Sequence, residues 1–188
     1  YTSYLEASRR AYADRAEYFG DPDYYPVPIE MLLDKQYANQ RFADFDLGKA
    51  SLSEDIDPGV WSRESPETTH FSVIDSNGIM VSFTTTLNSS YGNKIVVPGT
   101  GVLLNNEMDD FSVKKDTPNQ YRLIGREANA IEPGKRMLSS MSPTIVTKDG
   151  SPFLITGSQG GSRIITTVLQ VIINVIDHGM QLGDAVTL

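Results

Sequence analysis

The sequence predicts an α+β protein. Three observations carry that reading: helical composition at the start, two pairs of strand-like segments each folded about a turn, and a long apolar helical run near the end. No internal repeat interrupts this order.

Residues 3–19 (SYLEASRRAYADRAEYF) have helical composition, and Gly20 followed by Asp21-Pro22 is a stop signal. A second helical stretch begins near Pro28, takes its apolar content from Met31, Leu32 and Leu33, and frays by about Asp44. Residues 45–67 mix Pro, Gly, Ser and acids without periodicity, the composition of an exposed, mobile linker. From Thr69 the pattern turns to strands. THFSVID and IMVSFTTT flank Ser76-Asn77-Gly78 and predict one hairpin; PTIVT and PFLIT flank Lys148-Asp149-Gly150 and predict another. The long polar stretch between them, Asn88 to Met141, is the natural place for a substrate site, because loops of that length in compact domains carry function or stay disordered. Ser162 is read as the cap of a helix running to His178, apolar enough on several faces to be buried and closed by Gly179. The final LGDAVTL starts another helical pattern.

Composition narrows the function. The chain has 188 residues, enough for one ordinary domain, and no long apolar span. A net charge of −8 argues against a nucleic-acid partner, which would need clustered Lys and Arg. No basic amphipathic segment suits a membrane surface. The absence of Cys removes disulfides and thiolate chemistry and fits either redox compartment; two His without an H-E-x-x-H pattern argue against a catalytic metal. No signal peptide is visible, but the chain opens at Tyr1 in mid-pattern, so that absence leaves room for a leader in missing upstream sequence.

Thr68 stands where the linker meets the first core strand. A threonine hydroxyl needs a base to become a nucleophile, and its own α-amine serves if the preceding peptide bond is cut. Such an amine, with a pKa of about 7.7–8.0, accepts a proton near neutral pH. An acyl-transfer site also needs donors for the oxyanion, and GSQGGSR (157–163) offers a Gly-Gly pair before a helix N-terminus. Each feature has a bland counterpart. Thr is a common strand residue, and a Gly-rich turn before a helix is often only a connection.

TTHFSVID, TLNSSYG, LLNNEMDDF, KRMLSSMSPTIV and TGSQGGSRIITTVLQ, in this order and spacing, resemble the γ-glutamyltransferase (γ-glutamyltranspeptidase) family of N-terminal-nucleophile enzymes. AYADRAEYFGDP looks like the end of that family's large subunit, so the resemblance covers essentially the whole chain. It implies an αββα sandwich, two sheets face to face between helical layers, only part of which is present. It also implies a boundary at Glu67/Thr68: residues 1–67 would end the large subunit with an exposed pre-cleavage loop, and 68–188 would form a truncated small, catalytic subunit.

The family's chemistry then falls on named positions. Thr68 matches the nucleophile released by self-cleavage, attacking a γ-glutamyl amide and passing the acyl group to water, an amino acid or a peptide. Thr86 matches the residue that orients it, and Gly160 and Gly161 match the oxyanion hole. Asn88 matches a residue holding the donor's α-amino end, and Asp110 the carboxylate partner of that ammonium. Glu107 stands where some members carry Gln. Ser139 and Ser140 match the pair that binds the α-carboxylate. The segment from Lys115 to Arg126, with Tyr121, aligns with a lid. The implied partners are a glutathione-like donor, its acceptor and the remaining segments of both subunits, with no cofactor or metal; the implied location is periplasmic, secreted or cell-surface.

Several positions have competing readings. Asp110 beside Asp109 also suits a solvated acidic turn, and the Ser pair a strand end. Asn88-Ser89-Ser90 fits a glycosylation acceptor, which excludes substrate contact there. His70 is not read as a dyad partner of Thr68, strand alternation being expected to send its ring to the opposite face. His178 suits a helix C-terminus. An arginine that the family supplies from earlier in the large subunit is missing from the chain, as are strands after Leu188. The chain is therefore expected to be an excised portion of a precursor and inactive alone. Two alternatives stand beside γ-glutamyl transfer: a related amidase cleaving glutaryl-β-lactams or poly-γ-glutamate, and a non-catalytic fragment.

Overall fold

The chain is described by a computed structural model over residues 2–51, 68–114, 117, 119 and 125–187. From residue 52 the expected linker lies outside the described residues, and so does most of the expected lid, Tyr121 included.

Helix α1 spans Thr2–Tyr18 and ends, as expected, before Gly20. The second helical stretch is two helices, α2 (Ile29–Leu33) and α3 (Lys35–Arg41), because Asp34 breaks it. Its backbone is extended (ψ 127°) and its carboxylate accepts from the Gln36 amide, capping α3 instead of continuing α2. Strands β1 (Thr69–Ile74) and β2 (Met80–Thr85) pair antiparallel, as do β3 (Thr144–Lys148) and β4 (Ser151–Thr156). A bulge at Val146/Thr147 meets Pro152, which has no amide proton for the ladder.

The expected cap at Ser162 is corrected. A 3-10 turn, Gly161–Arg163, precedes α4 (Ile164–Ile176), and Ser162 is buried inside it. The positive φ of Gly160 and Gly161 curls the chain so that the Arg163 amide reaches the Gly160 carbonyl at 3.2 Å, and the backbone itself opens the helix. Helix α4 buries Ile164, Val168, Val171 and Asn174 but leaves Leu169 and Ile176 on the surface, so it is amphipathic instead of enclosed. Asn174 Nδ2 donates to the Ala185 carbonyl of α5 (Leu182–Thr187) at 3.3 Å.

Two compact units result: Tyr1–Ser62 with Met108–Leu138, and Arg63–Glu107 with Ser139–Leu188. Residues 108–138 belong with the N-terminal unit, so these units are not the two subunits that the resemblance implies on either side of Glu67/Thr68.

In the first unit the end of α1 and the turn after it hold residues 126–136. Asp21, its side chain buried, accepts from both the backbone amide and Nε of Arg136 at 2.9 Å. Arg136 also pairs with Asp23, Glu17 with Arg126, and the Tyr24 hydroxyl donates to the Pro133 carbonyl at 3.3 Å. Gly20 lies so close to the Ala128 carbonyl that no side chain fits there. The Arg136 guanidinium holds the Asp21 carboxyl well below the usual carboxylate range against the opposing effect of its burial.

In the second unit, the β1–β2 hairpin is apolar on one side, where Phe71 faces Phe83 and Val73 faces Val81, all about half exposed. Its other side is polar and meets β4: Ser82 Oγ donates to the Thr156 carbonyl at 3.0 Å.

Candidate active site

Period-two alternation builds the polar side of the hairpin into a ladder. Ser72 faces Ser82 and His70 faces Thr84; the ladder ends at Thr69 opposite Thr85, and Thr68 and Thr86 are the residues just beyond that last pair. Thr68 is 6% exposed, immediately before β1. Thr86 leaves β2 at its end, and its Oγ1 accepts from the Asn88 amide at 2.9 Å.

The expectation for His70 is corrected here. Positions 68 and 70 have the same parity, so alternation does not part them. The ring is occupied instead: Nδ1 lies 2.8 Å from Thr84 Oγ1 and Nε2 3.0 Å from Ser72 Oγ. Burial lowers its pKa from 6.5, favouring the neutral ring, whose one donor and one acceptor suit two hydroxyls. The imidazole also fills the space beside Gly157, where a Cβ would overlap it. His70 thus braces β1 against the start of the GSQGGSR segment. That segment carries Gly160 (φ 122°) and Gly161 (φ 58°), both in backbone conformations that side chains resist. The expected nucleophile and oxyanion pair accordingly belong to one unit.

Asn88, Glu107, Ser139 and Ser140 are in that unit too, and Asp110 is in the other. Asn88 is buried and left-handed (φ 72°), a conformation Asn tolerates better than most residues. Its Nδ2 donates to the Asn106 carbonyl at 3.2 Å, so the nitrogen a glycan would need is inside the fold and engaged. Glu107 opens a 3-10 turn, Glu107–Asp110, and Asn105 Oδ1 caps it by accepting from the Glu107 amide at 3.1 Å. Ser139 Oγ accepts from the Met141 amide at 3.1 Å, a local turn contact.

Asp110 is half-buried, and its backbone is held by Asn129, whose Nδ2 donates to the Asp110 carbonyl at 2.7 Å. Asn129 is itself buried; its Oδ1 accepts from the Leu138 amide at 3.0 Å and its carbonyl from the Ser112 amide at 2.9 Å. Sequence reasoning missed Asn106, Asn129 and Gly157. The Asn105-Asn106 doublet was the available signal for the first; nothing local marked the other two, whose partners are far away in sequence. Among the described residues no group of three or more His, Asp or Glu is placed to hold a metal ion.

A family model described as Gamma-glutamyltranspeptidase matches residues 1–188. The glutathione hydrolase proenzyme of Escherichia coli (strain K12) is 54% identical over 181 residues, covering 96% of this chain and 31% of the relative. Among solved structures, a mutant Helicobacter pylori gamma-glutamyltranspeptidase matches with a TM-score of 0.61 and 62% identity, over 62% of this chain and 63% of that one. Cephalosporin acylase from Bacillus halodurans matches with a TM-score of 0.73 and 28% identity, over 96% of this chain and 30% of that one. The chain spans about a third of the length of the curated relatives it matches.

Proposed function

The chain belongs to the γ-glutamyltranspeptidase family, within the α+β class of N-terminal-nucleophile hydrolases, and from that membership we propose that it carries the catalytic threonine of a γ-glutamyl transferase and hydrolase. The observation that carries the reading is the placement of Thr68: buried, at the mouth of β1, beyond the last ladder pair as Thr86 is on the partner strand, and in one unit with Gly160–Gly161.

The precursor is cut between Glu67 and Thr68. The freed α-amine takes the proton from Thr68 Oγ as it attacks the γ-carbonyl of the donor, and the Gly160 and Gly161 amides receive the oxyanion. Collapse expels the donor's amine, which leaves with the proton, and forms an ester on Thr68. Water or an acceptor amine then attacks that ester and releases glutamate or a new γ-glutamyl amide. Within the second unit, Asn88 and Glu107 would meet the donor's α-ammonium, and Ser139 and Ser140 its α-carboxylate; the resemblance gives Asp110 the carboxylate that pairs with that ammonium. The active species contains the remaining large- and small-subunit segments and works in the periplasm, at the cell surface or in the medium.

The likeness to a cephalosporin acylase supports the second reading, an amidase for donors without an α-ammonium, but such a donor has no use for Asp110. The test is the intact mass of the full-length precursor at pH 8 beside a Thr68→Ala variant. We expect a cut before Thr68 and turnover of γ-glutamyl-p-nitroanilide in the first, and neither in the second. A Thr68→Ala variant that still splits or turns over donor removes Thr68 from the mechanism.

A further inference from the structure

Leu87–Ser89 and Asn106–Glu107 enclose a closed loop in the second unit. Within it the Val97 amide donates to the Val102 carbonyl at 2.8 Å and the Leu104 amide to the Ile95 carbonyl at 3.0 Å. Its two ends meet at one residue. Asn106 Oδ1 accepts from the Ser89 amide at 2.9 Å, and its Nδ2 donates to Ser89 Oγ at 3.0 Å. The Asn106 carbonyl accepts from Asn88 Nδ2 at 3.2 Å, while its amide donates to the Leu87 carbonyl at 3.2 Å. Side chain and backbone together thus fix the residues on either side of Asn88 as well as the Asn88 amide group itself.

We propose that Asn106 is a positioning residue that fixes Asn88 and Glu107 relative to one another as the receiving site for the donor's α-ammonium. The inference rests on the functional reading above. Asn88 holds a left-handed backbone, which costs free energy wherever nothing enforces it. The Thr86 hydroxyl restrains its amide from one side. Asn106 restrains its side chain and its successor from the other, and the next residue along the chain is Glu107. An ammonium needs acceptors at set distances, so losing this clamp loosens donor recognition without touching the nucleophile.

The experiment uses the full-length precursor with Asn106→Leu, which keeps the same branched four-atom side-chain skeleton but forms neither side-chain bond, and Asn106→Asp. The aspartate still accepts from the Ser89 amide, and the Ser89 hydroxyl turns to donate to it. Self-cleavage needs Thr68 but no α-ammonium, so it reports folding and nucleophile placement apart from donor binding. Asn106→Leu should raise KM for γ-glutamyl-p-nitroanilide by about ten- to a hundredfold, with kcat at saturation and the self-cleavage rate within about threefold of wild type. Asn106→Asp should return KM to near the wild-type value. An unchanged KM in Asn106→Leu, or self-cleavage that slows in step with the loss of turnover, overturns the inference. Should Asn106→Leu fail to fold, Ser89→Ala decides, since it removes the hydroxyl to which Asn106 Nδ2 donates: a raised KM with normal self-cleavage supports the clamp, and an unchanged KM overturns it. A wild-type precursor that self-cleaves but ignores γ-glutamyl donors overturns the functional reading itself, an outcome distinct from the others.

Discussion

Gly157→Ala places a methyl group against the His70 ring. Of the three nearest ring atoms even the farthest, Nε2, would stand 2.6 Å from the added carbon, well inside the 3.4 Å at which ordinary contact begins. The ring cannot yield freely, because both nitrogens are tied, at 2.8 Å to Thr84 and 3.0 Å to Ser72. Either the strand and the loop part, at an overpacking cost of about 1–3 kcal/mol, or the ring swings and forfeits two hydrogen bonds worth about 0.5–1.5 kcal/mol each. Both routes converge on about 2 kcal/mol, roughly a thirtyfold fall in the folding equilibrium. Urea unfolding of the full-length precursor followed by circular dichroism measures it, and His70→Ala in the same background completes a double-mutant cycle. The methyl should cost almost nothing once the imidazole is gone. A Gly157→Ala variant within about 0.5 kcal/mol of wild type, the range of ordinary surface substitutions, would refute the brace. So would an equal cost with and without the ring.

Two further outcomes follow from the charges and the loops. The folded Asp21 carboxyl titrates below its unfolded value near 3.8, so the stability it contributes is fully present above that pH and is lost as pH falls through the lowered value. Asp21→Asn should therefore unfold more readily than wild type at pH 7, with the gap closing below pH 4; a gap that widens in acid would contradict the assignment. Removing residues 115–124, which spares the Arg126 partner of Glu17, should alter acceptor selectivity or the ratio of hydrolysis to transfer, and unchanged kinetics would rule out a lid.

The hairpins were legible because Asn77-Gly78 and Asp149-Gly150 announce their turns while the flanking residues alternate. The helices were legible in extent and less so at their ends. Asp34 has the chemistry of a cap, yet it sits in a run whose composition reads as continuous helix. Ser162 is a good cap by type, but two positive-φ glycines before it hand that task to the backbone. The residues proposed to bind the donor could be named one by one from the motifs. What orders them could not, since Asn129 reaches Asp110 and Leu138 across 19 and 9 residues, and Asn106 reaches Ser89 across 17. Distance in sequence, not subtlety of chemistry, hid them. The His70 reading shows the converse: counting by twos along β1 already puts it on the side of Thr68.

Under the proposed cut before Thr68, the grip of residues 17–24 on residues 126–136 would change character. Every partner in it lies on opposite sides of that bond: Glu17 and Arg126, Asp21 and Arg136, Tyr24 and Pro133. Before scission these contacts close a loop within one molecule. Afterwards they hold together two molecules, and cohesion that chain connectivity had supplied depends on how often the halves meet. The proposed cleavage would turn a unimolecular unfolding into a dissociation, whose midpoint would move with protein concentration and, since the grip is largely ionic, with salt.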